Sequence, residues 1–170
     1  MPKVEICSLS DLRALESQVH LSAEEVLTKL RPLILAGNGL AFLRKLKFTD
    51  AGRNPLDSSS DYNFVEQLNQ TFSHLVALKA TEYILKEHPT SAPFILRLGP
   101  IRGFDIESSD GFVVAETFAA VTYDSNSKLS KDTEKVSNSN AKHKYVFYYA
   151  ARGNRPGNTI KGVKRIHLNV

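Results

Sequence analysis

The dipeptide Asp110-Gly111 lies between two strand-like runs, Gly103–Ser108 and Phe112–Val121. Asp-Gly is a preferred pair for the centre of a two-residue hairpin turn, where both residues need positive φ. With that pair at the centre the register follows. Ser109 pairs with Phe112, Ser108 with Val113, Glu107 with Val114, Ile106 with Ala115, and Asp105 with Glu116. The two acids then share one face of the sheet. Opposed like charges destabilise a strand pair, and the apolar run FVVAETFAAV adds a desolvation cost to Glu116. A shared proton relieves the conflict, and so does a hard divalent cation held by both carboxylates. We favour the cation, with Mg²⁺ or Mn²⁺ as the expected cofactor and Asp105 and Glu116 as its ligands. Glu107 lies on the same face and is a weaker candidate.

Around this hairpin the chain reads as mixed α/β. Residues 1–50 read as helical: a short helix capped by Ser8 or Ser10, then one opened by a Ser22/Glu25 capping box, then another from Leu40 after Gly37-Asn38-Gly39. Asp50 to Ser60 reads as a loop. A long helix is expected from Asp61 to Lys86, with Val65, Leu68, Phe72, Leu75 and Val76 as its apolar stripe. Asn63, Glu66, Gln67, Gln70 and His74 form its polar face, and His88-Pro89 ends it. The period then changes. Strands are expected at Phe94–Leu98, on both arms of the hairpin, at Tyr145–Tyr149 and at Val163–Leu168. A helix capped by Asn126 or Ser127 is expected over Lys128–Val136. The aromatics Tyr145, Phe147, Tyr148 and Tyr149 read as core.

The 170 residues suit a single domain. It divides into a helical N-terminal part (1–58), a central core (60–150) and a basic C-terminal loop and strand (151–170). No apolar run reaches the length of a membrane span, and the first residues lack signal-peptide character. Cys7 is the sole cysteine, which rules out an internal disulfide and argues for a reducing, cytoplasmic setting. The five histidines show no metal-ligand spacing, and no phosphate-cradling or serine-hydrolase motif is present. Basic residues number 22 against 18 acidic, and the excess lies late in the chain: after Glu134 there are no acids. That field favours a polyanionic partner. Arg152, Arg155 and Lys161, with Lys131, are the candidate nucleic-acid contacts.

The order helix, three strands, helix, strand, with Asp in Gly103-Phe-Asp-Ile and Glu in Val114-Ala-Glu-Thr-Phe118, resembles the core of the PD-(D/E)xK nucleases, the restriction-endonuclease-like fold. The resemblance covers about residues 60–150. It implies Mg²⁺-dependent hydrolysis of DNA phosphodiester bonds, with Asp105 and Glu116 as metal ligands and Glu66, on the first helix, as an additional one. RNA in place of DNA stays open. One departure is plain: the family's Lys, two residues after the Glu, is Phe118 here. Some members take the amine from the following helix, which makes Lys128 the expected substitute and Lys131 the next. The alternative is a catalytically degenerate nucleic-acid-binding or assembly module of the same fold. So short a chain also leads us to expect a homodimer or a partner subunit.

Overall fold

The computed structural model describes residues 3–35, 38–57, 60–99, 101–153 and 157–170. Its centre is a seven-stranded mixed sheet in the order β1-β4-β5-β6-β7-β9-β8. The strands are β1 (Lys3–Ile6), β4 (Phe94–Arg97), β5 (Ile106–Ser108), β6 (Val113–Thr122), β7 (His143–Arg152), β8 (Asn158–Ile160) and β9 (Val163–His167). β1, β4, β5 and β6 pair antiparallel. β7 runs parallel to β6, and β9 parallel to β7. A parallel neighbour requires a crossover, here supplied by helix α4 (Lys128–Ser137). Among the described residues no helix is long and apolar enough to cross a membrane.

The helices α1 (Leu9–Leu35) and α3 (Phe64–Glu87) cover one face of the sheet. Leu12 and Val19 of α1 and Ala77 and Ile84 of α3 meet Phe94, Leu96, Ile106, Ala115 and Phe147 there. On the other face Leu129 and Val136 of α4 meet Val114, Phe118, Val146 and Tyr148. Burial on both sides explains why β7 is a continuous apolar run rather than an alternating one. Tyr145, Phe147 and Tyr148 are core residues, as their density suggests, while Tyr149 is only half-buried. Alternation along β6 sets Glu116 on the α4 side, among Val114 and Phe118.

The hairpin keeps the expected register, with Ile106 opposite Ala115 and Glu107 opposite Val114. Its turn differs. Gly111 N donates to Ser108 O at 2.9 Å, so Ser109 and Asp110 are the central pair. Gly111 takes the left-handed φ of +70° just after them. Asp110 Oδ1 closes the loop by accepting from Ser108 Oγ and Phe112 N. A four-residue connection built this way leaves the same residues opposite one another as the two-residue turn would.

The N-terminal part departs further from expectation. Lys3–Ile6 is an edge strand rather than coil or helix. α1 is one helix of 27 residues that runs past Pro32. Ser22 does not cap a helix but lies buried inside α1, where its Oγ donates to Arg53 O and accepts from Gln67 Nε2. The segment expected to be a loop contributes a two-stranded sheet, β2 (Asp50–Arg53) with β3 (Asp61–Asn63). α2 (Gly39–Phe48) lies between α1 and β2 and has no buried residue. The polarity of the first half of α3 is inverted as well. Gln67 and His74, assigned to the polar face, are buried, while Val65, Leu68 and Phe72 are exposed. At the start of α4, Asn126 and Ser127 both have positive φ and Ser127 makes no capping bond, so neither acts as the expected N-cap.

Candidate active site at the fork between two strands

The β5–β6 ladder ends at Ile106–Ala115, while β6 continues beside β7 as far as Thr122. Asp105 is the first residue beyond the ladder and stands where the two strands part. Its Oδ2 accepts from Thr117 N at 2.8 Å and from Thr117 Oγ1 at 3.0 Å. Its own N–H donates to Glu116 Oε1 at 3.3 Å. The expected pair of acids is thus brought together, tied by hydrogen bonds from each residue to the other's strand.

Arg97, on the neighbouring β4, fixes the backbone that presents Asp105. Its Nη1 donates to Phe104 O at 2.9 Å and its backbone N to Asp105 O at 2.8 Å. Its Nη2 lies 2.8 Å from Glu107 Oε2, so Glu107 belongs to this brace rather than to a ligand set. The brace explains Gly103, whose φ is +125° and whose absent Cβ would lie 3.0 Å from the Arg97 Nε.

The ammonium that meets Glu116 belongs to Lys135, a residue outside the expected set. Lys135 Nζ lies 2.7 Å from Glu116 Oε1 and donates to Gly103 O at 2.6 Å. Lys128, the expected substitute, pairs instead with the buried Asp132 at 2.8 Å, though it still lines the cleft beside Asp105. Lys131 points outward and is exposed. Positions 128 and 135 are seven apart, hence on one face of α4, with Asp132 between them. That spacing was the available signal. Position 118 holds a buried Phe stacked on Tyr148 at 5.6 Å between centroids.

Burial pushes the Glu116 carboxyl up, and the charge of Asp105 adds to this, so that its pKa reaches about 7 despite Lys135. Asp105 is also raised, by burial, against the hydrogen bonds from Thr117. Asp132 is raised by burial, against its bond to Lys128. For Lys128 burial favours the neutral amine, but the bond to Asp132 and the surrounding carboxylates outweigh it and hold the ammonium above its usual range. Taken together, the anionic forms of both fork carboxylates are under-compensated by the protein.

Glu66 does not join them. It is exposed at the start of α3, paired with Asn63 at 3.1 Å, and among the described residues no three His, Cys, Asp or Glu side chains gather closely enough to hold a metal. One and two turns further along α3, Gln70 and His74 reach the fork instead and line a cleft of about 170 Å³ with Arg97, Asp105, Thr117 and Lys128. Of the expected nucleic-acid contacts, Arg152 is exposed at the end of β7. Lys161 is exposed too, but its ammonium lies 2.5 Å from Glu134 Oε2 on α4. Arg155 lies outside the described residues.

No family model, curated protein or solved structure matches this chain.

Proposed function

We propose that the chain is a divalent-metal-dependent nuclease of the PD-(D/E)xK type, hydrolysing DNA phosphodiester bonds with Lys135 in the role of the displaced lysine. The observation that carries this reading is the contact of the Lys135 ammonium with Glu116 at the strand fork occupied by Asp105. The element order α3-β4-β5-β6-α4-β7, with an antiparallel meander and a helical crossover, supports it. The residues present suit Mg²⁺. Two carboxylates supply hard oxygen donors, and Mg²⁺ commonly uses one or two carboxylates while keeping waters or substrate phosphate in its other positions. The raised pKa values of both acids mark a place where added positive charge is favourable.

When bound, the cation supplies Lewis acidity and a more acidic water. The protein's own groups do the rest. Thr117 and the Arg97 brace hold Asp105 at the fork. Glu116 holds Lys135, whose ammonium is available to orient the attacking water or to offset charge gathering on phosphorus. Hydrolysis adds water across one P–O bond: the oxygen goes to phosphorus and a proton goes to the displaced sugar oxygen.

The test is incubation of supercoiled plasmid with Mg²⁺ or Mn²⁺. Wild type should nick or linearise it, and Glu116→Ala should not. Lys135→Ala should lose on the order of 10²–10³ in rate, with duplex affinity nearly intact, since one ammonium among many adds little to ground-state binding. Loss in Lys128→Ala with full activity in Lys135→Ala would assign the amine to Lys128 instead. A wild type silent with every divalent metal would leave the degenerate binding or assembly module, for which Phe118 in the core is the supporting feature.

A further inference from the structure

His74 is 2 % exposed, and its Nδ1 has no hydrogen-bond partner. Arg97, 9 % exposed, spends Nη1 and Nη2 on Phe104 and Glu107, while its Nε is also buried and unpartnered. Buried polar atoms are nearly always satisfied, so each exception asks for a reason. These two exceptions belong to side chains that line the same cleft, the one that also presents Asp105, Thr117 and Lys128. Arginine offers only donors, lysine likewise, and His74 offers one as its Nδ1–H tautomer. Arg97 Nε lies against Gly103, so the donors that the cleft can offer a ligand are the His74 Nδ1–H on its α3 wall and the Lys128 ammonium. A ligand that completes the set is an acceptor, and a compact one.

We propose that the cleft seats a phosphate group of the bound strand next to Asp105, and that His74 is a substrate-contacting residue donating to a non-bridging phosphate oxygen. This rests on the nuclease reading of the same fork. His74 suits the part because burial keeps its imidazole neutral, its pKa lowered to about 4, so it donates without adding a charge that would oppose a cation at the carboxylates. Lys128, half-exposed at the cleft, supplies the longer-range attraction. Position 74 lies on α3, two turns after Glu66, so the first helix contributes a phosphate donor where an acidic metal ligand was expected.

Two substitutions separate contact with substrate from a packing role. His74→Asn keeps an amide N–H at about the place of Nδ1, and His74→Leu fills the space without a polar atom. Removing an unpartnered buried nitrogen should leave the His74→Leu protein at least as heat-stable as wild type. Its single-turnover cleavage of a short DNA duplex should nevertheless fall on the order of 10²-fold, as when one preorganised donor is removed, and His74→Asn should recover most of it. A readout independent of cleavage is the imidazole ¹⁵N signal of His74 in wild-type protein, followed as the duplex is added with Ca²⁺ in place of Mg²⁺. It should move. If the signal moves but wild type never cleaves with any metal, the nuclease reading fails and the phosphate pocket stands. A signal unmoved by the duplex, or a His74→Leu protein that cleaves at the wild-type rate, overturns the proposal.

Discussion

Glu116 couples stability to pH in an unusual direction. Its pKa rises from 4.5 to about 7 on folding, chiefly through burial and next through Asp105. Between those values the folded protein binds the proton that the unfolded chain has released, so stability falls as pH rises through this window and levels off above it. The drop is on the order of 3 kcal/mol at about 1.4 kcal/mol per unit, and Asp105, shifted the same way, adds to it. Metal-free protein should therefore melt at a lower temperature at pH 8 than at pH 5. Glu116→Gln should flatten the profile, and Mg²⁺ should raise the melting temperature more at pH 8, where Glu116 is ionised. A metal-free melting temperature that climbs from pH 5 to pH 8 would refute the assignment. The acid pair itself was legible in the sequence, because a hairpin register is local and Asp110-Gly111 pins it. The amine was not. Choosing among Lys128, Lys131 and Lys135 needs the rotation of α4 on the sheet, and Leu129 and Val136 set that rotation only once they have a core to enter.

Between elements, the junction of α1, β2 and α3 depends on a single amide. Gln67 Oε1 accepts from Arg53 N, and its Nε2 donates to Ser22 Oγ and Thr71 Oγ1. Ser22 in turn reaches Arg53 O at 2.5 Å. Gln67→Ala strands the Arg53 N–H, leaves Ser22 Oγ without its donor, and should cost about 2–3 kcal/mol in urea unfolding. Ser22→Ala should cost about 1 kcal/mol, with a coupling of at least about 0.5 kcal/mol in the double variant, as expected of groups in one network. Independent, additive effects would show that the three elements are not joined here. The same network explains why this region resisted reading. Ser22 followed by Glu25 has the look of a capping box, and Gln67 falls on the polar face with Glu66 and Gln70. Both are polar residues buried for partners that are far away in sequence, and local pattern carries no sign of that. β2 and β3, with four and three residues, are too short to show a period.

Across the molecule, positive charge gathers where the sequence put it, but it is not all free to act. Lys161 is partly neutralised by Glu134, whereas Lys131 and Arg152 are exposed. Reversing the charge of Lys131 and Arg152 should weaken duplex binding and lower the log–log salt slope by about 0.9 for each phosphate that is no longer neutralised. Reversing Lys161 should do less than reversing Arg152. Fluorescence anisotropy over a KCl series measures both, and unchanged slopes would mean that this surface does not touch phosphate. The strands β4 to β7 were legible as elements, because apolar runs mark β4, β6 and β7 and the hairpin ties β5 to β6. The edge strand β1 was not, since four residues gain their meaning only from β4. One consequence of the topology concerns time rather than shape. The two carboxylates sit just past the end of the antiparallel β5–β6 ladder, and both lysines ride on the crossover that leads into the parallel strand β7. A chain still emerging during synthesis, or one whose parallel half has come loose, can hold its acids in register yet lack the amine. Under the nuclease reading, such a chain carries the metal-binding pair before it can cut DNA.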